Sequence, residues 1–290
     1  MKKILVVGGY GQLGQCLQKI SQNRETDFKF AFKSSLELDI TNEDEVLEIV
    51  SDFRPDFIVN AAAYTQVDLA EKEVQEAYQI NAHGVENLAI ASKKYGSILI
   101  HISTDYVFDG ESEISYDEDN FTAPQGVYGM SKLKGEELAL EANPRTIVVR
   151  TSWLYSEFKK NFVKTMLTLF DSRKEVSVVA DQYGQPTNAN DLAQAIIDII
   201  EKEPKVYGVF HFANYPETTW FEFASKIKEI ANSKVILNPI PTSQYPTPAK
   251  RPRRSTMGLD KIEKFYGIEP RNWEDSLEEC VSDILNKGHE

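Results

Sequence analysis

Tyr128 and Lys132 lie four residues apart in segment 127–142, whose composition predicts a helix that ends before Pro144. On a helix this spacing places both side chains on one face, about one turn apart. An ammonium group stabilises a nearby phenolate, so Lys132 is expected to lower the pKa of Tyr128 from its reference value of about 10. Such a phenol can donate a proton to a carbonyl oxygen while a hydride reaches the carbonyl carbon. The same pair is also common on exposed helix faces, so catalysis requires a hydride donor and a third polar group.

A glycine-rich segment near the amino terminus predicts where the hydride donor binds. Residues 4–7 are apolar at consecutive positions, as in a buried parallel strand, and residues 15–21 are expected to be helical. Gly8, Gly11 and Gly14 lie between the strand and the helix. Glycine allows a tight turn there and lets backbone N–H groups approach a pyrophosphate. The segment therefore predicts a dinucleotide site, and an ordinary turn is the alternative.

The end of the predicted second strand, residues 28–32, bears on the choice between NADPH and NADH. A site that prefers NAD usually has an acidic residue here, whereas this strand continues into Lys33. Lys33 could bind a 2′-phosphate, so NADPH is favoured and NADH remains possible; an ordinary solvated lysine is the alternative. Asp39 and Ile40 come later in the chain and are expected to meet the adenine edge.

Two further strand ends supply the rest of the predicted site. The small residues 61–63 follow a predicted strand at 57–60 and leave room for a cofactor over the sheet. Thr104 follows a predicted strand at 97–101. Its hydroxyl could hydrogen-bond a substrate carbonyl beside Tyr128, and a simple loop cap is the alternative.

Alternating strands and helices up to residue 150 predict an α/β fold of Rossmann type with a doubly wound parallel sheet. The candidate site residues all fall at carboxyl ends of its strands, where such sheets bind ligands. Residues 1–150 are expected to form a dinucleotide-binding domain that also receives elements near 185–215. Residues 151–290 are expected to form a small, interleaved substrate-binding lobe. The other predicted elements are a long helix at 68–95, helices at 161–170, 191–201, 220–231 and 274–285, and strands at 146–150, 176–179, 208–212 and 235–237.

Two polar segments could contribute to the site from outside the sheet. Residues 110–126 are acidic and predict a surface loop that could cover the site as a flap. Residues 239–254 are rich in proline and end in a basic cluster. Guanidinium groups bind phosphate oxygens bidentately, so Arg251 and its neighbours could hold a second diphosphate. A charge-balanced surface loop is the alternative.

The bulk composition argues against several classes of protein. The chain has 290 residues, 41% of them hydrophobic, which is enough for a sizeable core. Its net charge of −13 without a basic stripe disfavours nucleic acid and anionic membranes as partners. No apolar run has the length of a signal peptide or a membrane span. Cys16 and Cys280 lie far apart and form no metal-ligand spacing, so a reduced, cytoplasmic protein without a metal site is expected. None of the four histidines falls at a predicted active-site position.

Together these motifs resemble the extended short-chain dehydrogenase/reductases, and within them the dTDP-4-dehydrorhamnose reductases. The residues that carry the resemblance are Gly8-x-x-Gly11-Gln12-Leu13-Gly14, Asp39-Ile40-Thr41, Asn60-Ala61-Ala62-Ala63-Tyr64-Thr65-x-Val67-Asp68, Ser103-Thr104-Asp105-Tyr106-Val107-Phe108-Asp109-Gly110, Tyr128-Gly129-x-x-Lys132, Arg150-Thr151-Ser152-Trp153, Asp181-Gln182-x-Gly184-x-Pro186-Thr187 and Arg251-Pro252. The Tyr-x-x-x-Lys pair is shared by the whole superfamily, whereas the stretches 104–110 and 151–153 are more specific to this branch.

The resemblance implies an enzyme that reduces the 4-keto group of dTDP-4-dehydro-L-rhamnose to give dTDP-L-rhamnose with NADPH or NADH. It implies Tyr128 as proton donor, Lys132 as the residue that lowers its pKa and binds the nicotinamide ribose, and Thr104 as the residue that orients the keto oxygen. The implied cofactor-binding residues are Gly8, Tyr10, Gly11, Gln12, Leu13, Lys33, Asp39, Ile40, Ala61, Ala62, Ala63, Tyr64, Asn81, Ser103, Tyr128 and Lys132. The implied substrate-binding residues are Thr65, Val67, Thr104, Asp105, Tyr106, Trp153 and Arg251. For Trp153, a plain core aromatic is the alternative, and for Asn81 a solvated helix residue.

The chain departs from the family pattern in two places. Some members bind a divalent cation at a dimer interface through acids, one of them just after the glycine-rich loop. Residues 15–17 here are Gln-Cys-Leu, so a homodimer is expected without a metal bridge. Arg253 and Arg254 stand where members often carry small or polar residues, which could alter the phosphate contacts.

Two other functions stay open. One is a reductase or epimerase of another nucleotide-linked keto sugar, which would use the same catalytic residues. The other is a non-catalytic, NADP-binding regulatory subunit, against which the intact Thr104, Tyr128 and Lys132 argue.

Overall fold

The computed structural model describes residues 1–22, 24 and 26–287. The strands in this part of the chain are β1 Lys2–Val7, β2 Phe28–Lys33, β3 Phe57–Asn60, β4 Ile98–Thr104, β5 Thr146–Thr151, β6 Leu154–Tyr155, β7 Glu175–Val179, β8 Tyr183–Gly184, β9 Thr187–Asn188, β10 Gly208–His211, β11 Thr218–Thr219 and β12 Ile236–Ile240. The α-helices are α1 Gln12–Ser21, α2 Glu43–Phe53, α3 Val67–Ala70, α4 Val74–Tyr78, α5 Gly84–Tyr95, α6 Val127–Ala142, α7 Phe162–Ser172, α8 Ala189–Glu201, α9 Trp220–Ile230, α10 Asp260–Tyr266 and α11 Trp273–Lys287. A π-helical turn, Gln79–His83, joins α4 to α5, and short 3-10 turns occupy Asp105–Val107 and Thr242–Gln244.

The central sheet has the order β10-β5-β4-β3-β1-β2, and every neighbouring pair in it is parallel. Its inner strands are apolar at consecutive positions because helices cover both faces. One face packs against α1, α8 and α10, and the other against α2, α5 and α6. The predicted Rossmann-type, doubly wound sheet is confirmed.

The outermost strand next to β5 comes from the second half of the chain. β10 pairs with β5 in parallel, with Phe210 opposite Val149. Helix α8 precedes β10 and packs against α1, with Leu192, Ile196 and Ile200 buried. The dinucleotide-binding half is therefore completed by later elements, although its exact boundary stays a prediction.

The remaining elements form a lobe beside the carboxyl edge of the sheet. Helices α7, α9 and α11 pack around a second core that includes Tyr155, Phe223 and Leu277. Strands β7 and β12 pair in parallel at its edge.

Helix α10 was not predicted from the sequence, and it packs against β10 through Ile262 and Tyr266.

The predicted continuous helix at 68–95 is wrong. Two short helices and the π-helical turn precede α5 there, and the turn brings the backbone of Asn81 against α6. A Cβ at Gly135 of α6 would lie 2.0 Å from the carbonyl oxygen of Asn81, so only glycine allows this contact. The extra residue of the π turn thus brings Asn81 against α6. Among the described residues, no helix is long and apolar enough to cross a membrane.

Candidate active site

A cavity of about 570 Å³ opens at the carboxyl edge of the sheet, between the sheet and the lobe. It brings together most of the residues that the sequence analysis selected. The predicted site residues that line it are Gly11, Gln12, Leu13, Ala61, Ala62, Ala63, Thr65, Val67, Ser103, Thr104, Asp105, Tyr106, Tyr128, Lys132 and Trp153. Those that do not line it are Gly8, Tyr10, Lys33, Asp39, Ile40, Tyr64, Asn81 and Arg251.

The proposed catalytic groups meet where β4 ends and α6 begins. The Thr104 hydroxyl donates to Asp105 Oδ1 over 3.0 Å and accepts the backbone N–H of Tyr106. The ring of Tyr128 packs edge-on against that of Tyr106, with centroids 5.5 Å apart. Helix α6 can come this close because Gly129 faces the Tyr106 carbonyl, where a Cβ would lie 2.2 Å from the oxygen.

The expectation that Lys132 lowers the pKa of Tyr128 is wrong for this structure. Burial raises the pKa of Tyr128 to about 12; the Thr104 hydroxyl lowers it, and the Asp105 carboxylate raises it. Lys132 Nζ donates over 2.7 Å to the carbonyl oxygen of Ile102. Burial lowers the pKa of Lys132 to about 8, against the opposing effect of Glu136 one turn further along α6. Desolvation therefore disfavours the charged form of both groups.

The glycine-rich turn leaves the amino end of α1 open to a ligand. Gly11 caps α1 without any side-chain hydrogen bond, and the first turn of the helix contains no acid. Gly8 has a φ of +73°, and a Cβ there would lie 2.6 Å from the backbone nitrogen of Ala62. A Cβ at Gly14 would lie 2.3 Å from the carbonyl oxygen of Gly9. A tightly folded turn with a free helix amino end fits the pyrophosphate of a dinucleotide.

Asn81 links the segment that follows β3 to helix α6. Its side-chain oxygen accepts the Tyr64 N–H over 2.9 Å, and its nitrogen donates to the Tyr64 carbonyl over 3.0 Å. The same nitrogen donates to the Ser131 hydroxyl, which in turn donates to the Tyr128 carbonyl. Asn81 is fully buried, and its side-chain amide hydrogen-bonds to Tyr64 and Ser131. Its contacts link the cofactor side of the cavity to α6.

The predicted adenosine-side residues lie along the outer part of the same edge. Lys33 ends β2, and its carbonyl accepts the Gly9 N–H over 2.9 Å, so it lies beside the glycine-rich turn. Asp39 accepts two hydrogen bonds from Thr41 and lines a second, more open cavity of about 610 Å³. Tyr10 is half exposed on the turn. These positions leave the cofactor roles of Tyr10, Lys33 and Asp39 as predictions.

Trp153 is held in a strained conformation at the lobe side of the cavity. Its φ is +45°, and its ring stacks on Trp220 with centroids 3.5 Å apart. Gly184 also lies close to this ring, because a Cβ there would be 2.6 Å from the indole. Both indoles line the cavity, so they present an aromatic wall to a ligand.

The basic loop that follows Pro239 is charge-balanced. Lys250 pairs with Glu111, Arg251 with Asp68, Arg253 with Glu113, and Arg254 with Glu217. Arg251 does not line the cavity, and its Nη1 is buried without a hydrogen-bond partner among the described residues. Its predicted diphosphate contact is not tested by this geometry and stays a prediction.

The acidic loop 110–126 does not line the cavity. The Tyr116 hydroxyl donates to Asp109, and the Tyr116 backbone pairs with that of Met257. The carboxylate of Glu118 accepts the His211 N–H over 3.0 Å. These contacts hold the loop against β10 of the central sheet and the segment around Met257.

The sequence analysis missed several residues of the cavity wall. Lys159, Lys160 and Asn161 come from the segment between β6 and α7, and Trp220 begins α9. Asn161 caps α7 and donates to Gln12 of the glycine-rich turn over 2.9 Å. No sequence signal marked these residues, because they reach the cavity only through the folding of the lobe onto the sheet.

Three of the four histidines lie in the described part of the chain, and none of these three lines the cavity. His101, to which no chemistry was assigned, is buried directly against Lys132. His83 and His211 do not line the cavity, and His289 lies outside the described residues. In the part of the chain that the structure describes, no group of His, Cys, Asp or Glu is arranged to hold a metal ion.

A family model described as the RmlD substrate binding domain matches residues 1–286. The chain is 44% identical to a dTDP-4-dehydrorhamnose reductase from Aggregatibacter actinomycetemcomitans over 287 residues, which cover 96% of this chain and 97% of that protein. A crystal structure of a dTDP-4-dehydrorhamnose reductase from Clostridium acetobutylicum matches with a TM-score of 0.93 and 39% identity, covering 98% of this chain and 99% of the other. One from Bacillus anthracis, solved in complex with NADP, matches with a TM-score of 0.93 and 40% identity, covering 97% and 99%.

Proposed function

The chain belongs to the RmlD substrate binding domain family, as its motifs predicted, and we propose that it reduces dTDP-4-dehydro-L-rhamnose to dTDP-L-rhamnose with NADPH. The observation that carries this proposal is the single cavity that contains Thr104, Tyr128 and Lys132 together with the glycine-rich turn. A proton donor and a dinucleotide-binding turn in one cavity are what reduction of a ketone requires.

NADPH, when bound, supplies the hydride for the keto carbon. The open amino end of α1 would hold its pyrophosphate, and the small side chains of residues 61–63 would leave room for it over the sheet. Lys33, at the end of β2, would meet the 2′-phosphate. The NADP in the Bacillus anthracis relative supports this choice of cofactor.

Tyr128 would hold the proton for the keto oxygen. With its pKa raised to about 12, the phenol is protonated at neutral pH but is a weaker acid than a free tyrosine. Negative charge that develops on the keto oxygen would draw the proton from Tyr128 Oη, while the Thr104 hydroxyl orients that oxygen. Lys132, whose pKa of about 8 lies near working pH, would then supply a proton to the phenolate. In this scheme Lys132 supports Tyr128 as a proton source in addition to its predicted contact with the nicotinamide ribose.

The sugar nucleotide would occupy the lobe side of the cavity. Trp153 and Trp220 offer an aromatic wall on which a sugar or base can pack. Lys159 and Lys160 line the same side and form no salt bridge with any described residue, so they are available for a diphosphate. Thr65, Val67 and Tyr106 would contact the sugar near the catalytic groups.

The test is NADPH oxidation by the purified protein with dTDP-4-dehydro-L-rhamnose, run beside a panel of other nucleotide-linked keto sugars. We expect NADPH absorbance to fall fastest with the dTDP-4-dehydro-L-rhamnose substrate, and more slowly when NADH replaces NADPH. Faster turnover of another sugar nucleotide would contradict the proposed substrate. Epimerisation of a sugar without net oxidation of NADPH would contradict the proposed reaction. Normal NADPH binding without turnover of any sugar would favour the regulatory-subunit alternative.

A cytoplasmic location and a homodimer without a bridging metal stay predictions. They follow from the composition of the chain and from its family resemblance. Measurement of the solution mass with and without a chelator would test the homodimer: a chelator-insensitive dimer is expected.

A further inference from the structure

A buried hydrogen-bonded chain runs beneath Lys132. His101 of β4 and Asn60 of β3 are opposite each other in neighbouring strands, and both are fully buried. Asn60 Nδ2 lies 3.1 Å from His101 Nδ1, and His101 Nε2 lies 3.4 Å from Lys132 Nζ. Neither Asn60 nor His101 contacts the substrate or the cofactor in the proposed reaction.

The orientation of the Asn60 amide is fixed by the backbone. The N–H of Ala62 donates to Asn60 Oδ1 over 3.0 Å, so the amide nitrogen must face His101. The reversed amide would turn its NH2 group towards the Ala62 N–H and leave that half-buried donor without an acceptor. Asn60 therefore donates to His101 Nδ1, which has to carry a lone pair.

This contact selects the tautomer of His101. Burial and the charge of Lys132 hold the pKa of His101 well below its usual range, so the imidazole is neutral. A neutral imidazole with a lone pair on Nδ1 carries its proton on Nε2, the atom that faces Lys132 Nζ. An N–H group repels an ammonium, whereas it can donate to the lone pair of a neutral amine.

We infer that Asn60 and His101 are positioning residues that set the protonation state of Lys132 by directing an N–H group at its Nζ. The other titratable groups around Lys132 act differently. Glu136 favours the ammonium, but its carboxylate is engaged by Arg150 and by the Ser103 hydroxyl. Asp105, from the turn after β4, acts on Tyr128, because its charge raises the pKa of that phenol.

The consequence is a lysine that gives up its proton readily. The carbonyl of Ile102 accepts an N–H of Lys132 in either protonation state, and it favours the ammonium because that hydrogen bond is charge-assisted. The Nε2–H of His101 favours the amine, and loss of that N–H would favour the ammonium. Turnover that depends on a proton from Lys132 falls as pH rises through the lysine pKa, so loss of the N–H would move this fall to higher pH.

The direct test is ¹⁵N NMR of the histidine side chains in the unaltered protein without ligand at neutral pH. The His101 signals are assigned by their loss in His101→Phe or, if that variant does not fold, in His101→Gln. We expect a protonated Nε2 and an unprotonated Nδ1. A proton on Nδ1, or on both nitrogens, would overturn the inference whether or not the protein has the proposed activity.

The kinetic test uses Asn60→Asp and His101→Phe, and it rests on the proposed reductase activity. A carboxylate at position 60 requires a donor at His101 Nδ1, which places the lone pair of Nε2 towards Lys132. We expect the alkaline fall of kcat/KM to move up by about one pH unit in both variants. A shift in Asn60→Asp alone would assign the effect to the added charge and contradict the inference.

Asn143→Asp is the matched control. Asn143 is also buried and also accepts a backbone N–H, that of Arg145, but it lies at the amino edge of the sheet. Its pH profile is expected to match that of the unaltered protein. If the unaltered protein and all variants lack turnover, the proposed function is contradicted but the inference about Asn60 and His101 is not. The NMR result would then decide that inference.

Discussion

The chemistry of the site depends on how burial affects two side chains. Tyr128 and Lys132 are one helical turn apart, as their spacing predicted, and both line the cavity. The sequence did not reveal that Nζ of Lys132 contacts Ile102 and His101, because those contacts come from β4. Burial then dominates, and it keeps a proton on the phenol while loosening the proton of the lysine. A charge pair inferred from spacing alone is therefore a poor guide to the pKa of a buried group.

Replacement of the two cavity lysines tests diphosphate binding. Lys159→Ala combined with Lys160→Ala is expected to raise KM for the sugar nucleotide about tenfold, because charge-assisted hydrogen bonds to phosphate would be lost. kcat should change little. Steady-state kinetics with each substrate in turn would separate a diphosphate of the sugar nucleotide from that of NADPH.

The matched control for the lysine pair is Lys93→Ala with Lys94→Ala, two adjacent exposed lysines at the end of α5. KM for the sugar nucleotide should be unchanged in this control variant.

Arg251→Ala is also predicted to raise KM, although the ion pair with Asp68 competes for the guanidinium group. A loss of kcat with normal KM in the Lys159 and Lys160 variant would count against diphosphate binding by those lysines.

At the scale of elements, the sequence predicted the strands of the central sheet and most helices to within a few residues. Apolar runs flanked by turn residues identified β1, β3 and β5, and Pro144 marked the end of α6. The prediction from sequence failed for elements that tertiary contacts stabilise. Helix α10 is short and is stabilised by packing on β10, and the π turn at Asn81 is stabilised by its fit to α6. The cavity residues of the β6–α7 segment were missed for the same reason.

Gly129→Ala tests the fit between α6 and the turn that follows β4. Alanine favours helix, but its Cβ would lie 2.2 Å from the Tyr106 carbonyl oxygen. We expect a loss of about 1–3 kcal/mol in the free energy of unfolding, and a fall in kcat as Tyr128 moves away from Thr104. Urea unfolding and steady-state kinetics would measure the two effects.

Met130→Ala is the control for this helix. Met130 is exposed on α6, next to Gly129, so its replacement should leave both quantities near their original values. Normal stability and normal kcat in Gly129→Ala would mean that the close approach of α6 does not position Tyr128.

At the scale of the whole molecule, the two halves of the chain share one sheet and one cavity. β10 and α8 complete the dinucleotide-binding half, and the lobe supplies Trp153 and Trp220 to the site. Gln12 of the glycine-rich turn donates to the carbonyl of Leu154 and accepts from Asn161. Binding of cofactor and of sugar nucleotide is thus expected to depend on both halves.

A fragment of residues 1–150 is predicted not to fold on its own. It lacks α8, α10 and β10, so one face of its sheet would expose the apolar side chains that these elements cover. We expect poor dispersion in its NMR spectrum and no cooperative unfolding, in contrast to the whole chain. A folded fragment that binds NADPH would show that the first half is an independent domain.

The most direct test of the central claim is turnover by Tyr128→Phe. This substitution keeps the ring and its packing against Tyr106, and removes only the hydroxyl that would donate the proton. We predict that NADPH binding, followed by its fluorescence, is retained while kcat for dTDP-4-dehydro-L-rhamnose falls about a hundredfold or more. Near-normal turnover with intact NADPH binding would contradict Tyr128 as the proton donor.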